Sequence, residues 1–100
     1  MNLLDLSWKD ARAYLKKRRD IIVPFGSVEE HGYHLPLSTD GDIAIAIAEE
    51  LSKIKVVAAA PVVWYGVCNT TKSFPGTLTV GFDSFKAYVS DIFSNLCENV

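Results

Sequence analysis

The sequence predicts an α/β fold with a mainly parallel sheet. Segments with helical periodicity alternate with short apolar segments in the order helix, strand, helix, strand, strand, helix, which places helices against the faces of a sheet. The first two strand segments lack a polar face, as strands of buried parallel sheets do. The chain is 49% hydrophobic and 22% charged, so it can form a packed core and is not a disordered chain.

The first helix is predicted from Ser7 to about Arg18, because Ser7 followed by Asp10 is a capping-box pattern. Its apolar stripe consists of Trp8, Ala11 and Leu15. Asp40 or Asp42 is predicted to cap the second helix. The core stripe predicted for that helix consists of Ile43, Ile47 and Leu51, and the alanines that allow close packing are Ala44, Ala46 and Ala48.

The strands are predicted at Ile21–Val23, closed by Pro24, and at Lys55–Ala60, stopped by Pro61. Residues 62–75 are predicted to be a loop, and the alternating segment Thr77–Val80 to be a short third strand. Asp83 is predicted to cap the last helix. The apolar face of that helix consists of Phe85, Tyr88, Val89, Ile92, Phe93 and Leu96.

Charge and cysteine content narrow the classes of function. The net charge of −2 argues against a nucleic-acid or anionic-membrane surface, and the basic run at residues 16–19 fits the solvated end of the first helix. Cys68 and Cys97, without CxxC spacing, indicate a reducing compartment. We expect no signal peptide, because the mainly apolar segment at residues 1–6 is short and a charged helix follows it. The longest apolar run, residues 56–65, contains Pro61 and is too short to span a bilayer. We therefore expect a cytoplasmic protein that binds neither nucleic acid nor membrane.

The loop at residues 29–40, EEHGYHLPLSTD, holds both histidines of the chain and three acidic residues. It follows the first strand, at the edge where open α/β sheets bind their ligands. Glu29, His31, His34 and Asp40 are residue types whose side chains suit Zn, Mn or Fe(II). Residues two apart in an extended loop point to the same side, so Glu29 and His31 can reach one ion. Asp40 returns at the start of a helix, and its two oxygens can bridge two metals.

Other interpretations of this loop stay open from the residues alone. Polar residues are common in loops, and an aspartate before a helix is usually a cap. His34, which precedes an apolar Leu-Pro-Leu segment, also fits a packed, hydrogen-bonded histidine. A phosphate site at Gly26-Ser27 is less favoured, because no glycine-rich phosphate motif follows the strand.

Residues 26–40, GSVEEHGYHLPLSTD, resemble the signature of the creatininase (creatinine amidohydrolase) family, roughly GSxEQHGxHLPLxTD. Residues 65–67, YGV, and 74–79, FPGTLT, are similar to the family's later YGxS and FPGT segments. The resemblance runs from about Ile21 to Val80 and keeps the order and spacing of these motifs. It implies a three-layer α/β/α fold, of which residues 1–100 would form the amino-terminal part.

The resemblance also implies a metal-dependent amidohydrolase that uses a metal-activated water on small non-peptide amides, such as cyclic amides and formamides. Such enzymes are typically homo-oligomers, often hexamers. At the positions that match the family motif, Glu29 corresponds to a ligand of one metal and His31 to a ligand of the other. Asp40 corresponds to the carboxylate that bridges the two metals. His34 corresponds to a histidine that orients a ligand or the loop. The resemblance assigns none of these four residues as the acid that protonates the leaving nitrogen.

Two positions depart from the family pattern. Glu30 stands where Gln is usual, and we expect its carboxylate to face water. The loop before FPGT commonly holds a Ser and, three residues later, a His. Here these positions are Cys68 and Thr71, so a hydroxyl that does not titrate near pH 7 replaces the imidazole. If that histidine binds the substrate in other family members, we expect this chain either to act on a different substrate or to have weak activity. Cys68 is expected to be a packed or semi-exposed thiol rather than a nucleophile.

The largest departure from the family pattern is the length of the sequence. Family members continue to a further strand and a glycine-rich loop with additional ligands, whereas these 100 residues hold three candidate ligands. An incomplete sheet would also expose an apolar edge. We therefore expect a fragment, one half of a split enzyme completed by a carboxyl-terminal chain, or a shortened relative stabilised by self-association. The leading hypothesis is a metal-dependent hydrolase of a creatinine-like amide or a formamide, and its rival is a non-catalytic structural or regulatory subunit.

Overall fold

The structure, a computed structural model, describes residues 1–99. Within them, the helices and strands are α1 (Trp8–Lys17), β1 (Ile21–Ile22), α2 (Thr39–Lys55), β2 (Ala58–Ala59) and α3 (Phe82–Asn99), and a short 3-10 helix, Leu3–Asp5, precedes α1. β1 and β2 pair in parallel, which confirms the predicted α/β order for this part of the chain. Among residues 1–99 there is no helix that is both long enough and apolar enough to cross a membrane.

Both strands are shorter than the sequence predicts. β2 does not begin at Lys55, because α2 continues to that residue and is ended by Val56, whose φ of 54° is left-handed. Beyond the regular strands, the pairing continues as an isolated parallel bridge between Phe25 and Val63. Pro24 and Pro61 therefore end the regular strands without ending the contact between the two segments.

The predicted third strand, Thr77–Val80, is not a regular strand. Leu78 forms one antiparallel bridge with Val28, and Thr79 forms one parallel bridge with Gly66. Because these single bridges go to two different neighbours, no ladder can extend along the segment. The segment instead fixes the position of the loop that follows β1.

α1 begins where the capping box predicts. The hydroxyl of Ser7 accepts a hydrogen bond of 3.2 Å from the N–H of Asp10. The buried residue of α1 is Tyr14, which the predicted stripe does not include. Trp8 of that stripe is exposed, and the Arg12 guanidinium lies 4.5 Å from its ring centroid. The apolar stripe of α1 was therefore predicted incorrectly at its first residue.

The predicted caps of α2 and α3 are wrong. α2 begins after Ser38, which makes no side-chain cap bond. Asp42 accepts a hydrogen bond of 2.7 Å from the Ser38 hydroxyl, and Asp40 accepts one of 2.6 Å from Ser27. Both carboxylates are therefore bound elsewhere, although their charges suit the amino-terminal end of the helix. Asp83 lies inside the first turn of α3 rather than before it.

α2 packs on the sheet through small residues. Gly41, Ala48 and Ser52 are its buried residues. The predicted core stripe is instead exposed to solvent. The exposed fraction is 54% for Ile43, 55% for Ile47 and 43% for Leu51. The stripe prediction is wrong for this chain because the helix turns its smallest face to the sheet, where the backbone approaches most closely.

α2 and α3 cover opposite faces of the segment that leaves β1. Phe25 packs against Phe85 and Phe93 of α3, with ring centroids 6.4 and 6.2 Å apart. The next residue, Gly26, packs against Gly41 of α2. Because successive residues of an extended chain point to opposite sides, the loop after β1 runs between the two helices.

Tyr14 joins α1 to the sheet through its hydroxyl, which donates to the carbonyl of Asp20 at 2.7 Å and accepts from the N–H of Ala58 at 2.9 Å. Ala58 is completely buried. Tyr14→Phe leaves this N–H without a partner, so we expect the free energy of unfolding to fall by about 1–3 kcal/mol, measured by urea denaturation. The matched control is Tyr33→Phe at a fully exposed side chain, which should leave stability unchanged. Equal losses in both variants would contradict the assigned role of the Tyr14 hydroxyl.

Candidate metal centre

Glu29, His31 and Asp40 converge beyond the carboxyl end of β1. One ligand atom from each residue lies within 4.8 Å of the other two. Glu29 and His31 belong to the loop after β1, and Asp40 belongs to the first turn of α2. All three residues are partly buried. The fold therefore brings together the three residues that the sequence predicts as metal ligands.

Asp40 is contacted at both of its oxygens, by a hydrogen bond at Oδ2 and, when His31 is protonated, by an ion pair at Oδ1. The Ser27 hydroxyl donates to Oδ2 at 2.6 Å, and Nε2 of His31 lies 3.3 Å from Oδ1. The hydrogen bond from Ser27, and the charge of His31 when protonated, hold the pKa of Asp40 below its usual value although desolvation opposes them. Asp40 is therefore ionised at neutral pH, as cation binding requires.

His31 is held in one orientation by the backbone of Glu29. Its Nδ1 lies 3.1 Å from the Glu29 carbonyl oxygen, and because a carbonyl only accepts, Nδ1 carries the proton. The neutral ring then has its lone pair on Nε2, the atom that faces Asp40. The bond to Glu29, and next the charge of Asp40, raise the pKa of His31 against the effect of desolvation. A cation that binds Nε2 must therefore displace a proton when His31 is protonated.

Glu29 is contacted by the loop between β2 and α3. The Thr71 hydroxyl donates to Oε2 of Glu29 at 3.0 Å. The hydroxyl of Thr77, in the same loop, accepts a 3.0 Å hydrogen bond from the N–H of Glu30. The N–H of Glu29 itself donates to the Leu37 carbonyl at 3.3 Å. Both the carboxylate and the backbone at Glu29 are therefore anchored.

Two glycines allow the loop after β1 to approach α2. A Cβ added to Gly26 would lie 2.5 Å from the Cα of Gly41, and one added to Gly41 would lie 2.6 Å from two carbons of the Trp64 ring. Side chains do not tolerate contacts this close. The chain neighbours of these glycines, Ser27 and Asp40, meet because the two backbones can touch.

The donor set fits a divalent transition-metal ion. Two carboxylates and one imidazole are the ligand types used for Zn, Mn and Fe, and catalytic zinc sites commonly have three protein ligands and an open position. Each of the three side chains has an atom close enough to the others to share an ion. The hydrogen bonds to Asp40, His31 and Glu29 are contacts of the kind that orient metal ligands in proteins.

His34 does not join this cluster. Its side chain is exposed, and a Cβ at Gly32 would lie 3.6 Å from its Nδ1, so the ring folds over the turn at Gly32. Its predicted role in orienting a ligand or the loop stays a prediction. The carboxylate of Glu30 accepts a 3.0 Å hydrogen bond from the N–H of Gly32 in an exposed position, in agreement with the expected outward orientation.

Cys68 is buried beside the cluster, and its Sγ lies 3.9 Å from the Gly66 carbonyl oxygen. Burial, and next the neighbouring Glu29 carboxylate, raise the pKa of the Cys68 thiol to about 11. The thiol is therefore protonated at neutral pH and is a poor nucleophile. The expectation of a packed thiol is confirmed.

Sequence reasoning assigned no contact to Ser27 or Thr71, the two hydroxyl residues that hold Asp40 and Glu29. Ser27 could have been noticed from its place in the GSVE segment. Thr71 stands in a polar loop where a hydroxyl is unremarkable, so only its contact in space reveals it.

The sequence matches known proteins over most of its length. A family model described as Creatininase: Creatinine amidohydrolase matches residues 4–99. The mycofactocin precursor peptide peptidase of Mycolicibacterium smegmatis is 40% identical over 67 residues, covering 61% of this chain and 27% of the relative. The 3-dehydro-scyllo-inosose hydrolase of Thermotoga maritima is 29% identical over 90 residues, covering 89% of this chain and 29% of the relative. The chain therefore spans less than a third of the length of these two curated relatives.

Solved structures show the same fold. A crystal structure of creatinine amidohydrolase (creatininase) matches with a TM-score of 0.92 at 22% identity, covering 98% of this chain and 40% of that chain. Creatininases described as Zn-Zn type and as Mn match with TM-scores of 0.91 and 0.93. The predicted fold class is thus confirmed, with this chain forming part of the creatininase fold. Since the family match extends over residues 4–99, the chain belongs to the creatininase (creatinine amidohydrolase) family.

Proposed function

We propose that this chain carries part of the metal site of a hydrolase that acts on a small non-peptide amide, such as a creatinine-like cyclic amide or a formamide. The observation that supports this most directly is the convergence of Glu29, His31 and Asp40 within 4.8 Å. When bound, Zn, Mn or Fe supplies a water of lowered pKa and polarises the carbonyl group of the substrate. Two ions are proposed for the complete site: Glu29 would hold one, His31 would hold the other, and Asp40 would contribute its carboxylate to both.

The side chains of this chain bind and orient. Glu29 and Asp40 contribute negative charge, and His31 contributes Nε2 once its proton has left. The bond from Nδ1 to the Glu29 carbonyl keeps the His31 ring in that orientation. We assign the proton donor for the leaving nitrogen to none of these residues. The Cys68 thiol, with its raised pKa, is too weak an acid for that role.

A peptide amide is the second candidate substrate. It is favoured by the 40% identity to a protein named as a peptide peptidase, whereas the small amide is favoured by the family's description as creatinine amidohydrolase. Both substrates present a carbonyl carbon bonded to nitrogen, so the same site chemistry serves either. Parallel assays with cyclic amides, formamides and short peptides, each following the hydrolysis product by chromatography, distinguish the two candidates.

A non-catalytic subunit is not favoured. The three ligand positions of the motif are all retained, and the two curated relatives described above are named as a peptidase and a hydrolase.

We further propose that additional polypeptide, from the same or a second chain, packs on this one and adds ligands. An open groove of ≈ 840 Å³ beside α3 is lined by apolar side chains, among them Val23, Val63 and Ile92. Ile43 and Ile47 on α2 are also more than half exposed, and apolar surface of this extent favours a covering partner. Two metal ions with open positions also need more protein ligands than three. The assembly is proposed to be a homo-oligomer.

The site is tested by comparing His31→Ala with His34→Ala. Both variants remove a histidine from the same loop, but only His31 lies in the cluster. We expect zinc and manganese affinity, measured by isothermal titration calorimetry, to fall more than about 100-fold in His31→Ala, beyond the usual effect of losing an outer contact. His34→Ala should change the affinity about threefold or less, because its exposed ring lies outside the cluster and loses neither a ligand nor an outer contact that costs about 10- to 100-fold. Unchanged affinity in His31→Ala would remove the metal from the proposal. Equal losses in both variants would assign the effect to the loop as a whole.

A further inference from the structure

Thr71 lies in the turn-rich loop between β2 and α3, and its backbone is held on both sides. Its N–H donates to the Cys68 carbonyl at 3.3 Å, and its carbonyl accepts from the N–H of Phe74 at 3.0 Å. Thr71 is half-buried, whereas its neighbours Thr70 and Lys72 are exposed. Of these three neighbouring residues, Thr71 is therefore the one whose side chain the turns direct toward the interior.

The Thr71 hydroxyl has two acceptors within reach. Oγ1 lies 3.0 Å from Oε2 of Glu29 and 3.5 Å from the Cys68 carbonyl oxygen. A hydroxyl has one proton to donate, and an ionised carboxylate at the shorter distance is the stronger acceptor. The proton therefore goes to Glu29.

We infer that Thr71 is a positioning residue that holds the Glu29 carboxylate ready for the cation. Its hydrogen bond occupies one direction around Oε2 and leaves the other lone pairs of the carboxylate available. Glutamate is a flexible side chain, so ordering it in advance reduces the entropy lost when an ion binds. A threonine hydroxyl does not titrate near neutral pH, so Thr71 acts through Glu29 and not as an acid or base. The inference rests on the proposed function, because it concerns a ligand of the same site.

Three variants test the inference. Thr71→Val keeps the β-branched shape and removes the hydroxyl, Thr71→Ser keeps the hydroxyl, and Thr70→Val makes the same change at the exposed neighbour. Zinc affinity is measured by competition with a chromophoric chelator, and thermal unfolding is followed in the metal-free protein. We expect about 10- to 100-fold weaker zinc binding in Thr71→Val, as for other outer contacts of metal ligands. Thr71→Ser and Thr70→Val should bind zinc as the unmodified protein does, and all three should melt at its metal-free temperature.

The outcomes separate this inference from the proposed function. If Thr71→Val binds zinc normally while His31→Ala does not, the inference is overturned and the metal site stands. If Thr71→Val lowers both the zinc affinity and the metal-free melting temperature, and Thr71→Ser lowers both as well, the role of Thr71 is structural. The inference is then also overturned. If His31→Ala binds zinc normally, the metal site fails and the inference fails with it.

Discussion

Asp40→Asn is expected to reduce zinc and manganese affinity more than about 100-fold, beyond the usual effect of losing an outer contact. Asparagine keeps the size of the side chain and an acceptor for the Ser27 hydroxyl, which lies 2.6 Å from Oδ2. It removes the negative charge, and it replaces one carboxylate oxygen by an amide that cannot bind a cation. The measurement is the metal content per chain after dialysis against limiting zinc.

Asp42→Asn is the matched control for this prediction. Asp42 lies in the same first turn of α2, is exposed, and accepts a 2.7 Å hydrogen bond from the Ser38 hydroxyl. It is not part of the Glu29, His31 and Asp40 cluster, so its variant should retain the metal. If both variants lose metal equally, the effect comes from the charge at the start of the helix and not from a ligand.

Gly41→Ala is expected to lower the free energy of unfolding by about 1–3 kcal/mol, because an added methyl group overpacks the contact with Trp64. It should also weaken metal binding, since relief of the clash moves Asp40 away from Ser27. Urea denaturation and zinc titration measure the two effects. Gly81→Ala is the control, because its Cβ would lie 3.9 Å from the nearest side-chain atom, the hydroxyl oxygen of Ser84, and we expect less than about 1 kcal/mol there.

A double mutant identifies the cause of that destabilisation. In a Trp64→Leu background the ring that an alanine at position 41 would strike is gone, so Gly41→Ala should cost less stability than in the unmodified protein. Such coupling is expected between residues in contact. Equal costs in both backgrounds would show that the Trp64 ring is not the obstacle.

Local sequence signals predicted the residue at which α1 begins and the residues that form the Glu29, His31 and Asp40 cluster. The capping box at Ser7 and Asp10 correctly marked the start of α1, because a cap depends on residues three apart. The order of the helices and of the first two strands followed from helical periodicity and short apolar runs in the same way. Residue type and place after a strand put Glu29, His31, His34 and Asp40 among the candidates, and the family resemblance selected the three without His34. The structure brings those three within 4.8 Å of one another.

Predictions that depended on distant contacts were less successful. The aliphatic stripe of α2 was expected in the core, yet Ile47 is 55% exposed while Ala48 is buried. Helical periodicity does not tell which of two possible faces meets the sheet. Thr77–Val80 alternates as a strand does, but it finds only single bridge partners at Val28 and Gly66, which are remote in sequence.

The sequence by itself determined which ligand types are present and which family motif they form, because both depend on residue identities and spacings within about fifteen positions. Only the tertiary structure decided that Ser27 binds Asp40, that Thr71 binds Glu29, and that Gly41 must lack a side chain beside Trp64. Each of these contacts joins residues from different elements. Such contacts exist only after the chain has packed, when backbone approach and the exclusion of water select one arrangement among many that the same local patterns allow.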